Sequence, residues 1–237
     1  MSKDTSISWC DSSTNAMMGC AGCELWNPKK GIFKCYAGVM TRQYGNRKGW
    51  PASFEEPALF PERIAEALKW KDLTGQDRAE KPWLNGLPRL IFLNDMGDTF
   101  TKGLPVDWLA PHLPAMADSP HQWLILTKSP SRMLEFNQLH SFPPNVWPGV
   151  SVTTMATAKR IDYLKHVKGG GPKFISLEPM YGRVRVGINP DAEQTPGMDR
   201  ISWLILGVES DGDRVGELSL DGSITTEDDW NAAAEEV

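Results

Sequence analysis

Five short runs of apolar residues, each ending abruptly in polar ones, constrain this chain more than any other feature. Leu90-Ile91-Phe92-Leu93 runs into Asn94-Asp95-Met96-Gly97-Asp98, and Trp123-Leu124-Ile125-Leu126 runs into Thr127-Lys128. The stretch 146–152 ends in Thr153-Thr154, the stretch 173–177 in Glu178-Pro179, and the stretch 201–208 in Glu209-Ser210. A continuous apolar run of this length reads as a strand covered on both faces. Between the runs lie helix candidates at 106–117, interrupted by Pro111 and Pro114, at 131–139 with Ser129 as cap and Pro130 just inside, and at 154–167. Gly169-Gly170-Gly171 stops the last of these. Strands alternating with helices predict an α/β fold with a parallel sheet, closed into a (β/α) barrel or a partial barrel. Such a fold gathers its functional groups where the strands end, and polar residues stand at each of these ends.

The rest of the chain is less regular. Residues 6–9 alternate polar and apolar and predict a short first strand, and 53–60 predicts a second. A helix is expected from Tyr36 to about Tyr44, stopped by Gly45-Asn46, and another after Pro61, with Ile64, Ala65 and Leu68 on one face. We read residues 1–237 as one domain, with 10–50 as a cysteine-bearing loop and 199–237 as an acidic C-terminal part. The final segment starts like a capped helix at Thr226-Glu227-Asp228-Asp229 with no strand after it, which predicts a barrel lacking its last strand.

All four cysteines, Cys10, Cys20, Cys23 and Cys35, fall within the first 35 residues. In Cys20-Ala21-Gly22-Cys23 the two small intervening residues let the backbone turn tightly enough to aim both sulfurs at one centre. Soft thiolates select an iron–sulfur cluster or zinc over hard cations. Three ligands on a cubane leave one iron open, whereas four would close the site. A disulfide pair or a redox dithiol needs, respectively, an oxidising compartment or a strand running into a long helix, and neither context is present.

Hydrophobic residues at 41% and charged residues at 23% are ordinary for a globular protein. The start of the chain has no charged head followed by an apolar run, and no window is long and apolar enough to span a bilayer, so we expect a cytoplasmic protein and no membrane partner. The net charge of −5 is uneven. Residues 1–50 carry seven Lys and Arg against Asp4, Asp11 and Glu24, while eleven acids face Arg200 and Arg214 from Asp199 onward. A basic entrance beside the cysteines suits a nucleic acid or nucleotide, or offsets the charge of a cluster. The ten tryptophans read as core.

Ile7-Ser8-Trp9-Cys10-Asp11, Asn15, Gly19-Cys20 and Cys35-Tyr36-Ala37 together resemble the phage-associated three-cysteine-motif family of unknown function. Later blocks carry the resemblance onward: 92–98, 126–133, 175–179 and 207–210. Members of that family are similar to radical S-adenosylmethionine (SAM) proteins, with three N-terminal cysteines ahead of a parallel β/α barrel. The resemblance implies a [4Fe–4S] cluster whose open iron binds SAM and an electron donor that reduces it, cleaving SAM to a 5′-deoxyadenosyl radical. The spacing here, C-x2-C-x11-C, departs from the usual C-x3-C-x2-C, so Cys10 is a candidate to replace or supplement Cys23.

Under that reading Cys20, Cys23 and Cys35 hold the metal. Asn94, Asp95 and Asp98 meet the SAM ammonium or ribose, or serve as Asx turns and helix caps. Thr127, Ser151 and Ser210 line the cofactor, Tyr36 packs against it, and Lys128, Glu178 and Glu209 are the catalytic candidates. The histidines His112, His121, His140 and His166 show no ligand spacing. Two other functions compete: a zinc-binding, nucleic-acid-associated protein with a closed cysteine site, and a hydrolase using Asp95, Asp98, Glu178 and Glu209 with a hard divalent metal.

Overall fold

A computed structural model describes residues 2–181, 184 and 201–207. In chain order the first part contains β1 (Ser12–Ser13), β2 (Met17–Met18), β3 (Trp26–Asn27), β4 (Ile32–Phe33), α1 (Tyr36–Tyr44), β5 (Ala58–Leu59) and α2 (Glu62–Ala67). The second part alternates: β6 (Leu90–Leu93), α3 (Leu113–Ala117), β7 (Gln122–Thr127), α4 (Pro130–Leu139), β8 (Val146–Ser151), α5 (Arg160–Lys165), β9 (Lys173–Leu177) and β10 (Ile201–Leu206).

Six strands form one sheet in the order β1-β6-β7-β8-β9-β10, and every neighbouring pair is parallel. The order follows the sequence and never reverses, unlike a doubly wound open sheet, which turns back at a switch point. Odd and even positions of each strand serve two different cores. Ile91, Leu93, Trp123, Ile125, Ile175 and Leu177 face the helices, where Met116, Met133, Phe136, Ile161 and Leu164 cover them. Leu90, Phe92, Leu124, Phe174 and Ile205 face the other way and pack with Trp9, Cys10 and Leu84.

That second face is concave. The Trp9 indole lies 4.7 Å from the Phe92 ring on β6, 6.2 Å from Phe174 on β9 and 6.4 Å from Trp203 on β10. Three strand spacings would hold Phe92 and Phe174 roughly 14 Å apart in a flat sheet, too far for one indole to touch both. Gly149 on β8 leaves the space that the Phe174 ring fills. The sheet therefore curls around a tryptophan supplied from outside it.

The structure departs from the sequence expectations at defined places. Residues 6–9 are not a strand: Lys81 Nζ takes the Ile7 carbonyl at 2.7 Å and those of the flanking Thr5 and Cys10 at 2.7 and 2.6 Å, and Trp83 Nε1 takes that of Ser8 at 3.0 Å. The first strand is β1 instead. The predicted strand at 53–60 shrinks to Ala58–Leu59, paired antiparallel with β2. Pro57 has no N–H to give a ladder, and the Phe54 carbonyl accepts from the Cys20 N–H at 2.7 Å. The prolines split the 106–117 helix into a 3-10 turn at Ala110–His112 and the short α3. The 154–167 helix also divides, since the Thr157 hydroxyl oxygen accepts from the Thr153 and Thr154 N–H groups at 3.0 Å each and closes a separate turn ahead of α5. Ser129 does not cap α4 with its side chain; its N–H donates to Thr127 Oγ1 at 2.8 Å. The expectations for the segment after 207 lie outside the described residues. Among the described residues no helix is long and apolar enough to cross a membrane.

Candidate functional site at the strand ends

The cysteine loop is built by backbone that only glycine readily adopts. Gly19 and Gly22 have φ of +90° and +100°, and a Cβ on Gly22 would stand 2.6 Å from the Trp26 carbonyl oxygen. Cys23 and Trp26 exchange backbone hydrogen bonds of 3.0 and 3.1 Å, which close the loop and start the β3–β4 hairpin. That hairpin carries the chain to Cys35, the residue preceding α1. Trp26 lies against Gly38 of α1 and so fixes the helix to the hairpin.

The loop is docked on the strand ends at two points. At the first, Gly19 approaches Gly97, where a Cβ would meet the Gly19 carbonyl at 2.6 Å. Beside it the Thr101 hydroxyl accepts from the Ala21 N–H at 2.8 Å and donates to Cys20 Sγ at 3.5 Å. At the second, Glu24 receives Arg160 Nη1 and Nη2 at 2.9 and 2.7 Å and the Thr153 hydroxyl at 2.8 Å. Arg160 also donates to the Ser151 carbonyl at 2.9 Å. Burial alone would raise the Glu24 carboxyl, but the hydrogen bonds and charge of Arg160 outweigh it and hold the group down at about 2.

Between loop and strand ends lies a cavity of about 140 Å³, several times the ~30 Å³ share of one water molecule. Cys20, Cys23 and Cys35 line one side of it. Asn94, Asp95 and Asp98 after β6, Thr127 and Lys128 after β7, and Ser151 at the end of β8 line the other, over a floor of Phe92 and Leu126. The structure thus brings together three of the four cysteines and six of the predicted strand-end residues.

Their environments differ. Asp98 is committed: Oδ1 accepts from the Thr127 hydroxyl at 2.6 Å and the Phe100 N–H at 3.0 Å, and Oδ2 accepts from the Lys128 N–H at 2.8 Å. Asn94 is committed as well, accepting from the Met17 N–H at 3.2 Å and donating to the Thr99 hydroxyl at 2.9 Å. Asp95 and Ser151 are not. Asp95 Oδ2 accepts from Ser13 at 3.3 Å, but its Oδ1 is buried without a partner, and so is Ser151 Oγ, on a residue 1% exposed. Buried oxygens left without partners are uncommon and costly, and both belong to residues of the cavity wall.

Burial pushes the Cys20 thiol up to about 12 and the Cys23 thiol upward too, against the opposing pull of Lys128 on Cys23. At both positions burial therefore favours the neutral thiol. Among the described residues no three His, Cys, Asp or Glu side chains converge tightly enough to clasp a single metal ion.

The remaining predicted residues lie elsewhere. Cys10 is fully buried in the core beneath the concave face, where burial also raises its thiol, and it does not line the cavity. Tyr36 is 66% exposed on the outer side of α1. Glu178 follows β9 and accepts from Trp9 Nε1 at 3.0 Å and Ser176 Oγ at 3.3 Å. Burial pushes its carboxyl up, opposed by those hydrogen bonds and by Lys128. Glu209 and Ser210 lie outside the described residues. Sequence reasoning missed Glu24, Arg160 and Thr101. The position of Glu24 directly after Cys23 was a usable signal; Arg160 and Thr101 carried none.

A family model described as a protein of unknown function (DUF5131) matches residues 4–228. Neither the curated proteins nor the solved structures contain a match to the chain.

Proposed function

The chain belongs to that family of unknown function, and, since the family's description names no chemistry, we propose from the site that this is an iron–sulfur, SAM-dependent radical enzyme on a partial β/α barrel. The observation that carries the reading is the meeting of three thiols with the polar ends of three successive parallel strands around one cavity. The donor set fits the group: three soft sulfurs suit iron in a cluster, and the orphaned Asp95 Oδ1 and Ser151 Oγ offer acceptors to a ligand beside it.

Cys20, Cys23 and Cys35 would hold a [4Fe–4S] cluster, which supplies an open iron for SAM and the electron for its reductive cleavage. The protein's own residues do the rest. Asp95 accepts from a bound ammonium or hydroxyl. The Lys128 ammonium, whose field reaches both Cys23 and Glu178, neutralises the charge of a carboxylate or phosphate. Asp98 holds Thr127 and the Lys128 backbone in place, and the Glu24–Arg160 pair keeps the cysteine loop over the strand ends. Glu178, outside the cavity wall, accepts from the Trp9 indole and so fixes the ring beneath the strand ends.

The test is anaerobic purification with iron, sulfide and zinc quantified on one sample. We expect roughly four irons and four sulfides per chain, lost in Cys35→Ser and kept in Cys10→Ser, with SAM cleavage on reduction. One zinc per chain and no sulfide would overturn the reading in favour of a structural cysteine site.

A further inference from the structure

From Leu25 to Phe54 the chain contains no Asp or Glu and six Lys and Arg: Lys29, Lys30, Lys34, Arg42, Arg47 and Lys48. All six are exposed, in a protein whose net charge is −5. Of the carboxylates that flank the stretch, Glu24 is paired with Arg160 and Glu55 accepts from Trp26 Nε1 at 2.9 Å, while Glu56 is exposed.

The same stretch exposes large apolar side chains. Tyr36 is 66% exposed, Val39 49% and Phe33 37%. Tyr36 and Val39 stand three residues apart on α1 and so share one face of it. The guanidinium of Arg42 lies 3.8 Å from the Phe33 ring centroid, and that of Arg47 lies 5.0 Å from the Tyr44 ring. A guanidinium held against a ring keeps its planar fork ready for a phosphate. Cys35 and Ala37, on either side of Tyr36 in the chain, line the cavity wall, so the element that carries this outer face also forms part of that wall. Lys34 reaches toward the end of β9, with its Nζ 4.9 Å from the Tyr181 ring.

We propose that this face binds single-stranded nucleic acid, with phosphates on the Lys and Arg side chains and a base on Tyr36, so that the strand passes the cavity mouth. Alternating cations and exposed rings are what a flexible polyanion with flat bases requires, and a duplex would keep its bases from Tyr36. An anionic membrane would match the charge, but it presents no flat bases for an exposed ring to stack on. As a statement about substrate, the proposal rests on the cluster reading. As a statement about binding, it does not.

The experiment is fluorescence anisotropy on the metal-free full chain with labelled single-stranded DNA, single-stranded RNA, a duplex of the same sequence, and vesicles with anionic lipid. Single strands should bind, and log K should fall with log salt at a slope of about −2 to −4, as roughly three to six phosphate contacts demand. That slope corresponds to a roughly 20- to 300-fold loss between about 50 and 200 mM salt. Lys29→Glu with Lys30→Glu should weaken binding and flatten the slope. Tyr36→Ala should weaken it roughly 5- to 160-fold, as loss of one stacked base does, with the slope unchanged. A preference between the DNA and RNA arms assigns the polymer. Absence of binding at low salt, a duplex or vesicles bound as tightly as the single strand, or no effect of Tyr36→Ala would overturn the proposal. Binding is measured on metal-free protein, so failure of the cluster reading leaves this result standing and the two are read separately.

Discussion

Glu24→Gln removes the negative half of a pair that Arg160 reaches with two nitrogens, and leaves the guanidinium half-buried against a neutral amide. The pair is partly exposed, so we expect a loss of about 1.5–3 kcal/mol in urea denaturation near neutral pH, the range for charge-assisted hydrogen bonds. The pH dependence has a definite sign. The folded carboxyl sits at about 2, below its ordinary 4.5, so the pair's contribution is complete above the ordinary carboxylate range and disappears as pH falls toward 2. Parent and variant should therefore converge in stability at the acid end; a constant gap down to pH 2 would refute the pair. Because Glu24 adjoins Cys23, the variant should also raise the alkylation rate of Cys23 in metal-free protein. At this scale the sequence was legible where one residue type suffices. Thiols in C-x-x-C announce themselves by spacing, and Glu24 by standing next to one, whereas Arg160 meets Glu24 from more than a hundred residues away and carries no local signature.

Elements show which strand-end groups are committed to the scaffold and which keep an oxygen free. The turn after β6 is tied to β7 through Asp98, whose carboxylate accepts from the Thr127 hydroxyl and the Phe100 and Lys128 N–H groups. Asp98→Asn keeps the shape but loses charge-assisted bonds, and should cost about 1.5–3 kcal/mol in a thermal or urea melt. Iron loading should survive, because the cysteines stand on the other wall, and SAM affinity measured by equilibrium dialysis should fall as the Lys128 end shifts. The cysteine loop is the opposite case, a local device. Gly22→Ala places a Cβ 2.6 Å from the Trp26 carbonyl at a φ of +100°, so the loop must open. Metal content should drop sharply while the global melt moves little; a variant with full metal content would show that the loop tolerates the change. The strand ends were legible because an apolar run stops where the chain leaves the sheet. The breaks in the predicted helices were less so. Pro111 and Pro114 announce theirs, but the division after Thr157 depends on a hydroxyl choosing a nearby backbone N–H.

At the scale of the whole molecule, Trp9 closes what the sheet leaves open. It touches Phe92, Phe174 and Trp203 from three strands and holds Glu178 through its indole N–H. Trp9→Ala should cost about 3–5 kcal/mol in equilibrium unfolding, much more than loss of the exposed Trp83. Equal effects would mean that the indole does not bridge the curled sheet. The amino-acid sequence alone determined the α/β class, the parallel strands, the polar rim at their C-terminal ends and the grouping of thiols near the start. Each of these follows from period, spacing or composition within a few tens of residues. Only the tertiary structure decided that Cys10 goes to the core while Cys35 joins Cys20 and Cys23, that Lys81 and Trp83 take the Ile7 and Ser8 carbonyls of a predicted strand, and that Asp95 and Ser151 keep an oxygen free where Asp98 and Asn94 do not. Those outcomes depend on which distant groups arrive at the same place, and hydrogen-bonding capacity is claimed by the nearest well-aligned partner, wherever in the chain it comes from.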